Sequence, residues 1–250
     1  MTRQEWVKFS GKPDLDSSIS FNQVGTGRII PTRFHPPNTN DTLQSLFQPR
    51  ISSTAIPPVR RFIRLTNPNQ FLIYTDGACL DNGRASARAG CSFVFKPSTS
   101  QPESHGWVRF RLEDTGPTGE AHPQTSNRAE LRAVIAALRF RVWTGEGFDS
   151  LVIATDSEYV VEGATSWVRR WLQRDWKTSI GQAVKNRDLW ECLLGEIERW
   201  NGNGMQVQFW RIPRRWNTDA DYHAKHAASE DAQDAFMNIS VLGVLSRPFI

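Results

Sequence analysis

The sequence predicts an α/β fold with a five-stranded mixed sheet flanked by helices. Three short β-branched and aromatic segments with short connections follow one another from residue 71, which is typical of an antiparallel meander. Segments with helical and strand periodicity then alternate, as they do where helices pack on a sheet. One of these segments, LVIAT at 151–155, is apolar almost throughout and predicts a strand buried on both faces.

Local patterns place the elements one by one. Strands are predicted at 71–75, 89–95, 106–112, 151–155 and 205–212. Apolar residues recur at helical spacing over 127–142, which predicts the first long helix. Residues 157–200 are predicted to be mostly helical with a break near 176–186, and residues 219–229 to form a closing helix. The polar segment 113–125 is rich in Gly and Pro and predicts a loop.

Composition excludes several classes of protein. The 250-residue chain has a net charge of +4 and no apolar run near the ~20 residues that a membrane-spanning helix needs. Its first residues lack the apolar core of a secretory signal, and acids at Glu5, Asp14 and Asp16 are unlike a mitochondrial presequence. We therefore expect an intracellular protein, nuclear or cytoplasmic, without a membrane partner. The three cysteines are too few for a disulfide framework, so we expect free thiols, no disulfide-linked partner and a monomer.

The chain divides into three parts by composition. Residues 1–69 contain clusters of Pro, Asn and Ser, few periodic apolar residues, and nine basic against four acidic residues. We expect them to form a largely disordered basic extension, which is either passive or in contact with nucleic acid. Residues 70–235 form the predicted α/β domain, and residues 236–250 a C-terminal tail.

Four carboxylates stand where folds seldom place them for stability. Asp76 follows the first strand, Asp156 follows the apolar strand, Glu130 lies early in the first long helix and Asp221 in the last helix. A carboxylate at the end of an apolar strand is costly unless it is solvated, paired or bound to a cation. Ligands that are all oxygen favour Mg²⁺ or Mn²⁺ over zinc, and four carboxylates can hold two ions for displacement at phosphorus.

Each carboxylate also has a purely structural interpretation. Glu130 stands three residues after Asn127, which is the spacing of a capping box. Asp156 is a candidate helix N-cap, and Asp219 and Asp221 are candidates for a solvated helix face. The four acids on strand, helix, strand and helix, in that order, favour a metal site over four separate structural roles.

The sequence resembles the type 1 ribonucleases H over about residues 70–230. The segments that carry the resemblance are YTDGACLDN (74–82), TSNRAEL (125–131), ATDSEYVVEGATSWV (154–168), WKT (176–178), VKNRDLW (184–190) and NTDADYHA (217–224). The resemblance implies a ribonuclease H-like fold and magnesium-dependent endonucleolytic cleavage of the RNA strand of RNA–DNA hybrids. Asp76, Glu130, Asp156 and Asp221 fall on the family's four metal-binding acids. Asp219 is the nearest rival for the fourth position.

The resemblance also implies substrate contacts. Asn82 and Asn127 would contact sugar edges in the minor groove, where the 2′-hydroxyl distinguishes RNA from DNA. Thr125 and Asn186 fall on positions that hold a phosphate of the DNA strand. The stretch 168–187 carries six basic residues against one acid, with tryptophans interleaved, and falls on the family's basic handle. We expect Trp167 and Lys177 to contact the hybrid there, although tryptophans at this spacing also suit packing of a helix onto the core.

One expected residue is missing. The family commonly has a histidine in a flexible loop before the last acid, whereas the corresponding loop here is RIPRRWN (211–217). Arg214 or Arg215 can serve an electrostatic role there but cannot exchange a proton near neutrality.

Three functional hypotheses follow from these observations. The first is a hybrid-specific ribonuclease that uses two Mg²⁺ ions, with Mn²⁺ as a possible substitute. The second is a non-catalytic module that binds hybrids or duplexes, which the missing histidine suggests. The third is another nuclease on the same fold, such as a DNA exonuclease or a retroelement domain.

Overall fold

A computed structural model describes residues 24–52, 54–98 and 105–240. Its strands are β1 (Thr32–Arg33), β2 (Phe47–Ser52), β3 (Val59–Arg64), β4 (Asn67–Leu80), β5 (Arg88–Val94), β6 (Trp107–Arg111), β7 (Ser150–Thr155) and β8 (Gln206–Arg211). Its α-helices are α1 (Leu43–Leu46), α2 (Ser126–Arg139), α3 (Glu158–Glu162), α4 (Val168–Gln173), α5 (Arg187–Gly202) and α6 (Thr218–Ala227). A π-helical turn, Gly163–Trp167, joins α3 to α4.

The strands form one mixed sheet. Strands β4, β7 and β8 are parallel neighbours, and β1 pairs in parallel with the outer side of β8. The other side of β4 is shared, because β3 pairs with its first half and β5 with its second half, both antiparallel. Strand β6 continues beyond β5, and β2 continues beyond β3. The long strand β4 therefore lies at the centre of the sheet.

The two faces of the sheet carry separate cores. Alternation along β4 directs Phe71 and Ile73 into the larger core beneath α2 and α5, and directs Leu72 to the opposite face. On that opposite face, Phe47 and Trp210 join Leu72 in a second cluster. Helices α2 and α5 thus pack on one face of the sheet, whereas the short helix α1 packs on the other.

The expected disorder of residues 1–69 is wrong from Val24 onward, while residues 1–23 lie outside the described part of the chain. Residues 24–69 supply β1, α1, β2 and β3 and four of the nine buried residues of the second cluster. Phe34 and Phe47 are buried against Trp210, with ring centroids 4.9 Å and 6.3 Å from it. Burial of these aromatic rings stabilises the segment and offsets the conformational entropy that it loses on folding.

The predicted five strands are present as β4 to β8, and the folded N-terminal segment adds the remaining three of the eight described strands. The end of the described chain is also packed. Arg132 donates to the carbonyl of Met237 and pairs with Glu113, and its guanidinium lies 4.3 Å from the Phe236 ring centroid. Within the described ranges, no helix is long and apolar enough to cross a bilayer.

Candidate active site

The first two acids are carried by adjacent parallel strands: Asp76 lies within the second half of β4, and Asp156 directly follows the last residue of β7. Tyr74 of β4 is the register partner of Ala154 of β7. Two residues further along each strand, the same register leads to Asp76 and Asp156. Asp76 is buried, whereas Asp156 is half-buried at the end of its strand. The parallel pairing of β4 and β7 therefore makes Asp76 and Asp156 neighbours.

The third acid is brought in by a close approach of α2 to β4. Gly77 faces the backbone of Ala129 and Glu130, and a Cβ added to this glycine would lie 2.0 Å from the Glu130 amide nitrogen. Only glycine permits this distance between strand and helix. Glu130 is half-buried, and its carboxylate accepts a short hydrogen bond from the Ser157 hydroxyl, just after β7.

The fourth acid is carried by α6, and Asn217 links this helix to the strands. The Asn217 amide donates to Asp156 Oδ1 (2.7 Å) and to the Thr75 carbonyl (3.0 Å). Asp221 accepts hydrogen bonds from Arg214 Nη2 (2.8 Å) and Lys225 Nζ (2.5 Å). Its rival Asp219 is exposed. Sequence analysis assigned no role to Asn217, although it lies in the quoted segment NTDADYHA.

Two of the structural interpretations are wrong. The N-cap of α2 is Thr125, whose hydroxyl accepts from the Arg128 amide, so Asn127 and Glu130 do not form a capping box. The N-cap of α3 is Ser157, whose hydroxyl accepts from the Val160 amide, so Asp156 does not cap that helix. Thr125 stands two positions before the expected cap Asn127, and Ser157 stands one position after the expected cap Asp156. Glu130 and Asp156 are therefore not explained by helix capping.

The four acids share one electrostatic environment. Burial, together with the negative charges of Asp156, Asp221 and Glu130, raises the pKa of Asp76 to about 8. Burial raises the pKa of Glu130 to about 7, although the hydrogen bond from Ser157 acts in the opposite direction. Partial burial opposes a low pKa at Asp221, but its hydrogen bonds with Lys225 and Arg214 outweigh burial and lower it. Ionisation of the buried acids Asp76 and Glu130 is thus unfavourable as long as no cation lies beside them.

The donor set suits a hard divalent cation in charge and in chemistry. All four ligand candidates are carboxylates, and such a cation would relieve the repulsion around Asp76. Among the described residues, however, no three Asp, Glu, His or Cys side chains are arranged to hold one metal ion as they stand. Several of the acids are instead held by protein partners: Glu130 by Ser157, Asp156 by Asn217, and Asp221 by two cationic groups.

The residues expected to contact the minor groove lie at the start of α2 and in the turn after β4. Asn82 and Asn127 are exposed, and Thr125 is half-buried at the N-cap. The Asn82 amide donates to the Ser126 hydroxyl at 3.4 Å, which links the turn to the helix start. The turn that holds Asn82 therefore lies beside the start of α2, the helix that carries Glu130.

The basic stretch projects from α4 and the loop that follows it. Arg169, Arg170 and Lys177 are exposed, whereas Trp176 is buried. Trp167 is half-buried, with its ring centroid 5.9 Å from that of Trp171, so it contributes to packing. The charges are thus solvated while the tryptophans attach this segment to the domain.

Asn186 adopts a left-handed backbone conformation (φ 58°) just before α5. Its side chain donates to the Tyr159 hydroxyl at 3.1 Å and accepts from Arg128 at 3.4 Å. Arg128 is buried and makes a bidentate pair with Asp188 at 2.9 and 2.6 Å. This network, which sequence analysis did not identify, links the start of α2 to the start of α5. It therefore fixes Thr125 and Asn186 relative to each other.

The loop without the expected histidine forms a 3₁₀ turn, Arg214–Trp216, between β8 and α6. Its two arginines differ in role. Arg214 pairs with Asp221, whereas the guanidinium of Arg215 lies 5.5 Å from the Trp216 ring centroid. Of the two candidates for an electrostatic role, the structure therefore brings Arg214 to the acids.

Comparison with known proteins identifies related sequences. The sequence model of the RNase H family matches residues 68–229. Ribonuclease H of Treponema pallidum is 41% identical over 129 residues, which cover 48% of this chain and 69% of the relative. Ribonuclease H of Xanthomonas oryzae is 33% identical over 60% of this chain and 82% of the relative.

A human relative and a solved structure extend the comparison. Human ribonuclease H1 is 32% identical over 70% of this chain and 55% of its own length. Among solved structures, LC9-RNase H1, a type 1 RNase H with the type 2 active-site motif, is 30% identical and covers 64% of this chain and 72% of that chain, with a TM-score of 0.43. The match of the family model to most of the chain decides the assignment: this chain belongs to the RNase H family and has a ribonuclease H-like fold.

Proposed function

We propose that this protein is an endonuclease that hydrolyses the RNA strand of RNA–DNA hybrids, using two divalent metal ions, Mg²⁺ or Mn²⁺, bound by Asp76, Glu130, Asp156 and Asp221. The observation that carries the proposal is the convergence of these acids from β4, α2, β7 and α6. Family membership supports ribonuclease activity on hybrids. Residues 70–235 are the proposed catalytic domain.

The acids would act as ligands and not as proton carriers. Divalent cations at such a cluster supply Lewis-acid chemistry for displacement at phosphorus. Asn217 orients Asp156 by one hydrogen bond and fixes it to the β4 backbone by another. Ser157 orients Glu130 by the hydrogen bond that its hydroxyl donates to the Glu130 carboxylate. These two residues hold carboxylates that would otherwise repel each other.

The surface beside the acids suits a duplex with one RNA strand. Asn82 and Asn127 would read the minor groove, and Thr125 and Asn186 would hold a phosphate of the DNA strand. Lys177 and its exposed neighbours on α4 would bind phosphates, with Trp167 packing against a sugar. The neighbouring positions of Asn82 and the start of α2 support a shared role for these residues.

The test is cleavage of a hybrid whose RNA strand carries the label, in Mg²⁺ and in EDTA. We expect RNA products only with the metal, and a loss of roughly 100-fold or more in Asp156→Asn. Asp221→Asn should behave likewise, whereas Asp219→Asn, its exposed neighbour, should cleave like the wild type. Binding of hybrid without RNA cleavage would favour a non-catalytic module instead. Preferred cleavage of duplex DNA would favour another kind of nuclease.

A further inference from the structure

Asp221 differs from the other acids because both of its oxygens are occupied by cationic side chains. Arg214 donates to Oδ1 at 2.8 Å and Lys225 donates to Oδ2 at 2.5 Å. Lys225 lies one helical turn further along α6, so its contact is local. Arg214 reaches Asp221 from the 3₁₀ turn that precedes the helix. Each oxygen of the Asp221 carboxylate therefore already accepts a hydrogen bond from a cationic group, with which a metal ion would have to compete.

The positive charge of Arg214 also acts on the rest of the acidic cluster. It interacts electrostatically with Asp76 and Asp156 as well as with Asp221, and it stabilises the ionised form of Glu130. The Arg214 side chain is nevertheless 72% exposed and belongs to a short turn. It can therefore leave Asp221 by changing its rotamer, without disturbing a packed element. A side chain that interacts with the acids and is also exposed can be displaced when another cation binds.

We propose that Arg214 is an internal counterion of the acidic cluster, which pairs with Asp221 in the metal-free protein and has to leave that carboxylate before a divalent ion can bind it. This inference rests on the proposed metal site and adds to it a competition between a side chain and the metal. With Arg214 present, the four acids then bind a divalent ion less tightly than they would without it.

The experiment is a titration of Mn²⁺ into the metal-free, full-length protein, followed by calorimetry, without substrate. An exposed ion pair changes an equilibrium modestly, so Arg214→Gln is expected to bind Mn²⁺ about three- to tenfold more tightly than the wild type. Arg214→Lys keeps a cation near Asp221 and should lie between the wild type and Arg214→Gln. Higher KCl concentration should reduce the difference, because salt screens the competing ion pair.

The matched control is Arg215→Gln, which removes the same charge from the adjacent residue but not the contact with Asp221. Its Mn²⁺ affinity should equal that of the wild type. Equal tightening in both variants would overturn the proposal, because general electrostatics would then explain the effect. Unchanged or weaker binding by Arg214→Gln would overturn it too, provided that circular dichroism and melting show an intact fold.

The titration separates this inference from the proposed function. A shift in Mn²⁺ affinity in a protein that cleaves no hybrid supports the role of Arg214 and contradicts the nuclease. Hybrid cleavage without any shift contradicts the role of Arg214 and leaves the nuclease intact. The absence of Mn²⁺ binding in every variant would contradict both.

Discussion

Substitution of Gly77 by alanine tests the contact that joins Glu130 to the strand of Asp76. The added Cβ would lie 2.0 Å from the Glu130 nitrogen and 2.3 Å from the Ala129 carbonyl carbon. Both are backbone atoms of α2, so no side chain can rotate away to make room. Restoring a normal contact of about 3.5 Å requires α2 and β4 to separate by about 1.5 Å.

The expected cost follows from that displacement. Overpacking a core typically lowers the free energy of unfolding by about 1–3 kcal/mol, and a clash between backbone atoms belongs at the upper end of that range. For a domain of this size, 3 kcal/mol corresponds to a fall in melting temperature of roughly 6–12 °C. The same movement shifts Glu130 relative to Asp76, and a displacement of about 1 Å at a reacting centre can reduce the rate about 100-fold.

The assay combines thermal melting with hybrid cleavage at a temperature where both proteins are folded. The control is Gly202→Ala, because a Cβ at Gly202, near the end of α5, would meet no atom within 4 Å. It should leave melting and cleavage unchanged or raise stability slightly. A Gly77→Ala protein that melts within 1 °C of the wild type, or one that loses stability but cleaves normally, would refute the reasoning.

Three further predictions concern the acids, the N-terminal segment and the basic handle. In EDTA, Asp76→Asn should raise the free energy of unfolding at pH 7 by about 2–4 kcal/mol. The reason is that the buried Asp76 carboxyl destabilises the folded protein increasingly as pH rises from about 3.8, its ordinary pKa, to about 8, its pKa in the folded protein. Urea unfolding should therefore show the difference at pH 7 and little difference at pH 4. Phe47→Ala should cost about 3–5 kcal/mol in the same measurement, and a neutral result would mean that residues 24–69 do not share the core. Arg170→Gln with Lys177→Gln should weaken hybrid binding at low salt and flatten its salt dependence, and an unchanged slope would remove this surface from the binding site.

Sequence patterns were sufficient for strands β4 to β8 because their signals are local. All three residues of the run Phe71, Leu72 and Ile73 are apolar, so only the packed structure shows which core each one enters. The predicted strand 71–75 ends too early, because β4 continues to Leu80. The elements that carry the four acids were nevertheless predictable. Their mutual approach depends on Gly77, whose role appears only once α2 lies against β4.

The N-terminal strands were missed for physical reasons. Strand β2 contains Pro49, which is tolerated because this strand lies at the edge of the sheet. In β3 an inward position is occupied by Arg61, which is 3% exposed and pairs with Glu146, 85 residues away. A buried arginine breaks the apolar alternation that marks a strand, and its partner cannot be deduced from local sequence.

The partners of the acids were beyond local patterns for the same reason. Asn217 and Asp156 are 61 residues apart, and Ser157 and Glu130 are 27 apart. Both Arg214 and Arg215 were candidates for an electrostatic role near the last acid. Only the 3₁₀ turn shows that Arg214 is the one that reaches Asp221. Residue types and spacing therefore predicted the candidate ligands, whereas tertiary contacts decide how these four carboxylates are held.

The most direct test of the central claim is the location of Mn²⁺ by anomalous scattering in crystals of the protein with an uncleaved hybrid. We predict two ions whose protein ligands are oxygens of Asp76, Glu130, Asp156 and Asp221, at about 2.1 Å, with Arg214 no longer on Asp221. Anomalous peaks elsewhere, or ions that leave Asp76 and Asp156 without a metal contact, would contradict the account.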